Sequence, residues 1–197
     1  MADILCISEG NRKLGTIPSI SFPATTEGGC PPNAPCRAKC YARKPYAKSS
    51  QKAYRRNLEA YEKGEYWSRL SGWMQWKTPR FFRFNVSGDV LSEKYVAEMI
   101  EFCREHGGVK FLVFSKRYEL FADIHPLDLP ENLSVVLSAW PGWATPREVG
   151  AGHYPVAWIE TDPRAPEGAI PCQGHCDTCG VCWGLARRGI DVVLPLH

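Results

Sequence analysis

Residues 81–114 read FFRFNVSGDVLSEKYVAEMIEFCREHGGVKFLVF, and the fold class follows from how this run is punctuated. Phe81-Phe-Arg-Phe-Asn-Val86 is apolar and aromatic, the composition of a strand. Ser92 is a helix N-cap, Glu93 and Glu98 suit the positive end of a helix, and Gly107-Gly108 stops it, so residues 92–106 form a helix. Val96, Met99, Ile100 and Cys103 share one face of that helix, which makes Cys103 a buried core thiol and not a ligand. Lys110-Phe-Leu-Val-Phe114 is the next strand. Strand, helix and strand in this span make one βα unit of a parallel sheet.

Working outward, Leu133-Ser-Val-Val-Leu-Ser138, Val156-Ala-Trp-Ile159 and Ile190-Asp-Val-Val-Leu194 are further apolar strands. Strand starts fall 23 to 34 residues apart, the length of a βα unit. Upstream, Thr16 to Phe22 reads as extended, Ser49 to Gly64 and Tyr66 to Trp76 as helices, and Tyr118 to Ile124 as a short helix. Trp67, Trp73 and Trp76 recur near helical spacing and are assigned to core packing. The expectation is an α/β chain of about six strands, either a partial (βα)6 barrel or an open parallel sheet with Cys-rich loops. Residues 1–197 make a single domain with a Cys loop at 30–40 and another at 172–182. Both architectures place chemistry at the C-terminal ends of the strands.

Composition narrows the class. Of 197 residues, 44% are hydrophobic, 12% aromatic and 23% charged, the profile of a globular protein. A net charge of +3 is too small to require a polyanion. Sixteen prolines and 17 glycines exceed the usual ~5% and ~7%, which predicts long structured loops. No apolar run approaches the ~18 residues of a membrane span. The start, Met1-Ala-Asp-Ile-Leu-Cys-Ile-Ser, lacks the basic and apolar regions of a secretion signal. A cytoplasmic protein with no membrane partner is expected.

In a reducing compartment nine cysteines, an odd number, do not form a disulfide framework. Seven lie in two groups. Cys30, Cys36 and Cys40 are spaced C-x5-C-x3-C in a proline-rich loop. Three thiolates on a four-iron cluster leave one iron open, whereas zinc would take a fourth ligand from elsewhere. Cys172, Cys176, Cys179 and Cys182 are spaced C-x3-C-x2-C-x2-C, enough to saturate a [4Fe–4S] cluster. Zinc is the alternative, although paired zinc knuckles usually have a dozen or more residues between pairs. Cys172 could instead complete the first cluster, as the fourth cysteine does in two-cluster ferredoxins. His175 is read as a loop residue or outer-shell donor.

The strand ends turn polar or glycine-rich: Ser87-Gly88-Asp89, Ser115-Lys116-Arg117, Ser138-Ala-Trp140-Pro-Gly142, Glu160-Thr161-Asp162 and Leu196-His197. Together on one rim they offer carboxylates to an amine, cations to a carboxylate and an aromatic to a flat ring. Singly, each is also a common turn.

The order Cys30…Cys36…Cys40-Tyr41-Ala42, Ser87-Gly88-Asp89, Ser115-Lys116-Arg117, Trp140-Pro141-Gly142 and Cys172…Cys182-Trp183 resembles the phage "gene product 88" family over roughly residues 12–197. Its layout is similar to a small radical-SAM protein. That resemblance implies an open cluster iron at Cys30, Cys36 and Cys40 chelating S-adenosylmethionine, with Gly88 and Asp89 in the place of a Gly-Gly-Glu-like motif that holds the cofactor's amine. Gly88, Asp89, Ser115, Lys116 and Trp140 are then the candidate cofactor-binding residues, and an external electron donor is the implied partner. The usual radical-SAM spacing is C-x3-C-x2-C with an aromatic before the last cysteine; here Lys39 holds that position, and Asp89 is one methylene shorter than Glu.

Between Gly28 and Leu58 there is no acidic residue but eight basic ones: Arg37, Lys39, Arg43, Lys44, Lys48, Lys52, Arg55 and Arg56. Tyr41, Tyr46 and Tyr54 are interleaved. These residues fit a nucleic-acid footprint, or counter-charge for an anionic cluster plus a solvated helix face. Two functions remain open. One is a radical-SAM-like enzyme with one or two [4Fe–4S] clusters. The other is a nucleic-acid- or protein-binding module in which zinc or iron–sulfur sites only staple loops.

Overall fold

The computed structural model describes residues 4–195. Eight strands form one sheet: β1 Ile7–Ser8, β2 Ser19–Ile20, β3 Phe81–Phe84, β4 Lys110–Ser115, β5 Leu133–Ser138, β6 Val156–Ile159, β7 Ile170–Pro171 and β8 Val192–Leu194. Their order across the sheet is β1-β2-β3-β4-β5-β6-β8-β7, and only the β1–β2 pair is antiparallel. Five helices accompany them among the described residues: α1 Lys48–Glu62, α2 Tyr66–Lys77, α3 Glu93–Glu105, and the one-turn α4 Cys176–Cys179 and α5 Leu185–Arg188.

From β2 to β6 each strand is laid beside its predecessor, always on the same side. Parallel crossovers are right-handed, so connections that all step one way fall on one face of the sheet. That face carries α1, α2 and α3. Strand alternation supplies its apolar surface from Phe82, Phe84, Phe111, Val113, Val135 and Leu137, packed on Leu58, Leu70, Met74, Met99 and Phe102. Cys103 is fully buried here, as its helix face predicts. Ser92 caps α3, its hydroxyl accepting from the Tyr95 N–H at 3.2 Å.

The sheet is mixed α/β and mostly parallel, as expected, with β1 and β7 at its two edges. The intervening residues Leu112 and Val136 point to the second face, with Ala157 and Val192. What covers that face follows from β7. It lies outside β8 although it precedes it, so the β7–β8 crossover steps backwards and its right-handed connection must lie on the opposite face. Residues 172–191 are that connection. Trp183 and Leu185 are buried in the second core, with Cys172, Cys176 and Cys182 half-buried beside them.

Three local expectations change. Residues 118–124 hold a 3-10 turn, Tyr118–Leu120, in place of the expected helix, and the Tyr118 hydroxyl donates to the Ser138 carbonyl at 2.5 Å. Trp76 is not core: it is 73% exposed, with the Lys77 ammonium over its ring. Strands β1 and β7 are two residues each, too short to register as periodicity. The buried Asn57 holds β1, bonding the Cys6 N–H and carbonyl and the Ser21 carbonyl.

Candidate metal centres and the strand-end rim

The loop carrying Cys30, Cys36 and Cys40 leaves the C-terminal end of β2 and climbs through 3-10 turns at Pro35–Lys39, Tyr41–Arg43 and Pro45–Ala47 into α1. It is pressed against the loop after β3. The Asp89 N–H donates to the Gly28 carbonyl at 2.9 Å. Gly29, at φ +89°, has no room for a side chain: a Cβ would lie 2.4 Å from the Asp89 carbonyl oxygen. A Cβ on Gly88, at φ +75°, would lie 2.7 Å from the Gly28 oxygen. Gln51 of α1 fastens both loops, accepting from the Ala24 N–H at 2.6 Å and donating to the Ser87 hydroxyl at 3.1 Å. Backbone meets backbone here, so the three cysteines are held on the rim at the C-terminal strand ends.

Asp89 is buried and accepts three bonds from its own chain: the Val90 N–H at 2.8 Å and the Ser115 hydroxyl at 2.6 Å on Oδ1, and the Lys116 N–H at 2.9 Å on Oδ2. A carboxylate has about four acceptor positions, so one remains, on Oδ2. Burial raises the Asp89 carboxyl above its ordinary value, opposed by these bonds and by Lys116. Burial likewise raises Cys30 to about 12, with the charges of Asp89, Cys40 and Cys36 adding and Lys116 opposing. Cys36 is raised too, by burial first, against Lys116. Asp89, Lys116 and the first cysteines therefore share one electrostatic environment. Of the candidate cofactor residues, Gly88, Asp89, Ser115 and Lys116 meet here.

Trp140 stands further along the rim. Its carbonyl accepts from Arg164 at 2.9 Å, and Arg164 also holds the Trp143 carbonyl and a bidentate pair with buried Asp162. No hydrogen bond joins Trp140 to Asp89 or the cysteines among the described residues. Leu196-His197 lies outside the described residues.

The second group is on the other face. Cys172, Cys176, Cys179 and Cys182 all line one pocket of about 340 Å³, counted to its solvent-open mouth. Placing Cys172 with the other three favours a self-contained four-cysteine group over sharing with the first. Two tight turns build it, with Gly174 at φ +79° and Gly180 at φ +62°. The segment is tied down by Cys176 N–H to the Lys13 carbonyl, Ser134 hydroxyl to the Cys182 carbonyl, and Trp183 Nε1 to the Phe82 carbonyl. Burial raises Cys176, against Arg83 and Lys13, and raises Cys182 to about 12, with Cys172 and Cys176 adding. His175 is exposed, precedes α4 and lines the same pocket.

The donor chemistry fits a thiolate-bound centre. Four mutually interacting thiols surround a single pocket, and the Nε of Arg83 beside them is buried with no hydrogen-bond partner. Among the described residues no three His, Cys, Asp or Glu side chains converge closely enough to hold one metal ion. A four-iron centre needs no such point, since each thiolate binds its own iron.

Arg83, Tyr118, Arg164 and Gln51 were not singled out by sequence reading. Arg83 carries a signal, as a lone cation inside the apolar strand Phe81–Phe84. The others depend on contacts distant in sequence. Among the described residues no helix is long and apolar enough to cross a membrane. Comparison with curated proteins and with solved structures finds no match. A family profile described as Gene product 88 does match, over residues 6–184, and its span takes in β1, the first cysteine loop, the rim and all four terminal cysteines: the chain belongs to the gene product 88 family.

Proposed function

We propose that this chain is an iron–sulfur protein with two cysteine-bound centres, the first of them laid out as in radical-SAM enzymes. The observation that carries the reading is the gathering of Cys172, Cys176, Cys179 and Cys182 around one pocket. Cys30, Cys36 and Cys40 would hold the other centre on the strand-end rim. When bound, a four-iron centre with three thiolates supplies an open iron and one-electron chemistry. The chain's own part is positional. Gly29 and Gly88 let the cysteine loop approach the β3 end, Lys116 offsets negative charge at Cys30 and Cys36, and Asp89 keeps one acceptor position for the amine of S-adenosylmethionine. Ser115 and the Lys116 N–H aim that carboxylate. Metal-free Cys30 and Cys182 are protonated at pH 7, so loading either site must release protons. An electron donor is the partner this chemistry needs.

Anaerobic iron and sulfide analysis tests the reading. Protein purified without oxygen is expected to be brown, with about four to eight irons per chain. Cys30→Ala, Cys36→Ala and Cys40→Ala should each lose one centre, while Cys6→Ala and Cys103→Ala keep full iron. A colourless zinc protein would sink the iron–sulfur reading. Iron without any spectroscopic response to S-adenosylmethionine would leave a module whose centres staple loops.

A further inference from the structure

The cation run at Arg37–Arg56 has two explanations, counter-charge for the neighbouring thiols or a surface for an external polyanion. The placement of the cations favours the second. Lys39, Arg43, Lys44, Lys48, Lys52 and Arg56 are exposed and have no acidic partner within ion-pair distance among the described residues. Arg55 has only a marginal one, Glu27 at 4.0 Å.

Their scaffold is anchored to the rest of the fold. The turns at Tyr41–Arg43 and Pro45–Ala47 bury Ala42 and Ala47, and the Tyr41 hydroxyl donates to the Val86 carbonyl at 2.6 Å. The run then enters α1 against that helix's own interest. Its first turn has no acidic residue and no side-chain cap, and it begins with Lys48. Cations there oppose the helix dipole, so local stability does not explain them. Two rings stand among the charges: Tyr46 is 73% exposed and Tyr41 46%. Neither packs against another ring among the described residues.

We propose that the surface formed by Lys39, Arg43, Lys44, Tyr46, Lys48 and Lys52 binds single-stranded nucleic acid, cations to phosphates and the Tyr46 ring to a base. Cations alone would serve any polyanion. An exposed ring on an anchored turn between them favours unpaired bases, whose faces are free to stack. The inference does not rest on the metal reading: a protein without iron can still show it.

The test is fluorescence polarisation of the full-length protein with a labelled 20-nucleotide single-stranded DNA of mixed sequence, titrated across salt. Single-strand binding weakens with salt at a log–log slope of about −0.7 per phosphate neutralised. The triple variant Lys44→Gln, Lys48→Gln, Lys52→Gln should flatten that slope by about 2. Tyr46→Ala should weaken binding by about 5- to 150-fold and leave the slope alone, the signature of lost stacking. A Lys94→Gln, Arg104→Gln control on α3 should match wild type. Polyglutamate at equal charge should compete poorly. Equal competition by polyglutamate, an unchanged slope in the triple variant, or no effect of Tyr46→Ala would each overturn the proposal. All replaced side chains are exposed, and equal melting temperatures identify variants that remain folded.

Discussion

Asp89 shows how one side chain can be placed by sequence and still be misjudged in its duties. The residues around it predict a strand end with a free carboxylate, and the strand end is there. Two of its acceptor positions, however, tie the ends of β3 and β4 together, and a third holds the Val90 N–H. Asp89→Asn therefore does more than remove a charge. An amide nitrogen facing the Lys116 N–H leaves that half-buried donor unpaired, which costs about 1–3 kcal/mol. A thermal midpoint lower by roughly 2–12 °C is the expected outcome, using about 2–4 °C per kcal/mol for a chain of this size. The pH dependence has a definite sign. Because burial raises the folded carboxyl, protonation favours the native state, fully so below the unfolded value of about 3.9 and no longer once the pH has risen through the raised folded value. The stability gap between wild type and Asp89→Asn should widen as the pH falls from 7 towards 4. Paired melts across that range check both statements. Nothing in Ser87-Gly88-Asp89 itself reveals this, since the partners Ser115 and Lys116 arrive from the next strand.

Among elements, those with a long repeat were legible and those defined by a turn or a partner were not. α3 follows from Ser92, its apolar face and Gly107, and it runs over Glu93–Glu105. β4 and β5 follow from their apolar runs. β7 is two residues within a proline- and glycine-rich stretch, and its place outside β8 is a tertiary fact. That small strand sends residues 172–191 across the second face. The segment has little regular structure to hold it: α4 is a single turn, and its anchors are Trp183 and a few backbone bonds. Trp183 is 7% exposed, and Trp183→Ala should destabilise the protein by about 3–5 kcal/mol, as measured by denaturant unfolding. On the proposed reading, metal at the four cysteines would add folding free energy to the same element. Removing it with a chelator should raise hydrogen exchange at the Cys176, Gly180 and Trp183 amides, while β4 and β5 keep their protection. Uniform loss of protection would show that the terminal cysteines hold the whole domain together.

At the scale of the molecule, the two cysteine groups are separated by the sheet's architecture and joined by one strand. The first is on the C-terminal rim, the second on the face that the backward β7–β8 crossover covers. Each sends the residue after a cysteine to the β3 segment: Tyr41, next to Cys40, bonds the Val86 carbonyl, and Trp183, next to Cys182, bonds the Phe82 carbonyl. Arg83 lies between them with its guanidinium 4.7 Å from the Phe114 ring and its Nε buried and unpartnered. Its charge opposes the rise in Cys176 and Cys182 on one side and in Tyr41 on the other. The proposed metal–sulfur centre at the terminal cysteines would be anionic, and a buried cation or N–H beside its sulfurs would favour the more negative, reduced state. Arg83→Met keeps the apolar stem over Phe114 and removes both charge and donor. The midpoint potential of the terminal centre should then move in the negative direction, and Arg83→Lys, which restores charge without the planar guanidinium, should recover part of the shift. Potentiometric titration followed by electron paramagnetic resonance reads this directly, with iron content measured on the same samples. If Arg83→Met retains its iron and its potential matches wild type, Arg83 is a packing residue and the two centres are not linked through its charge.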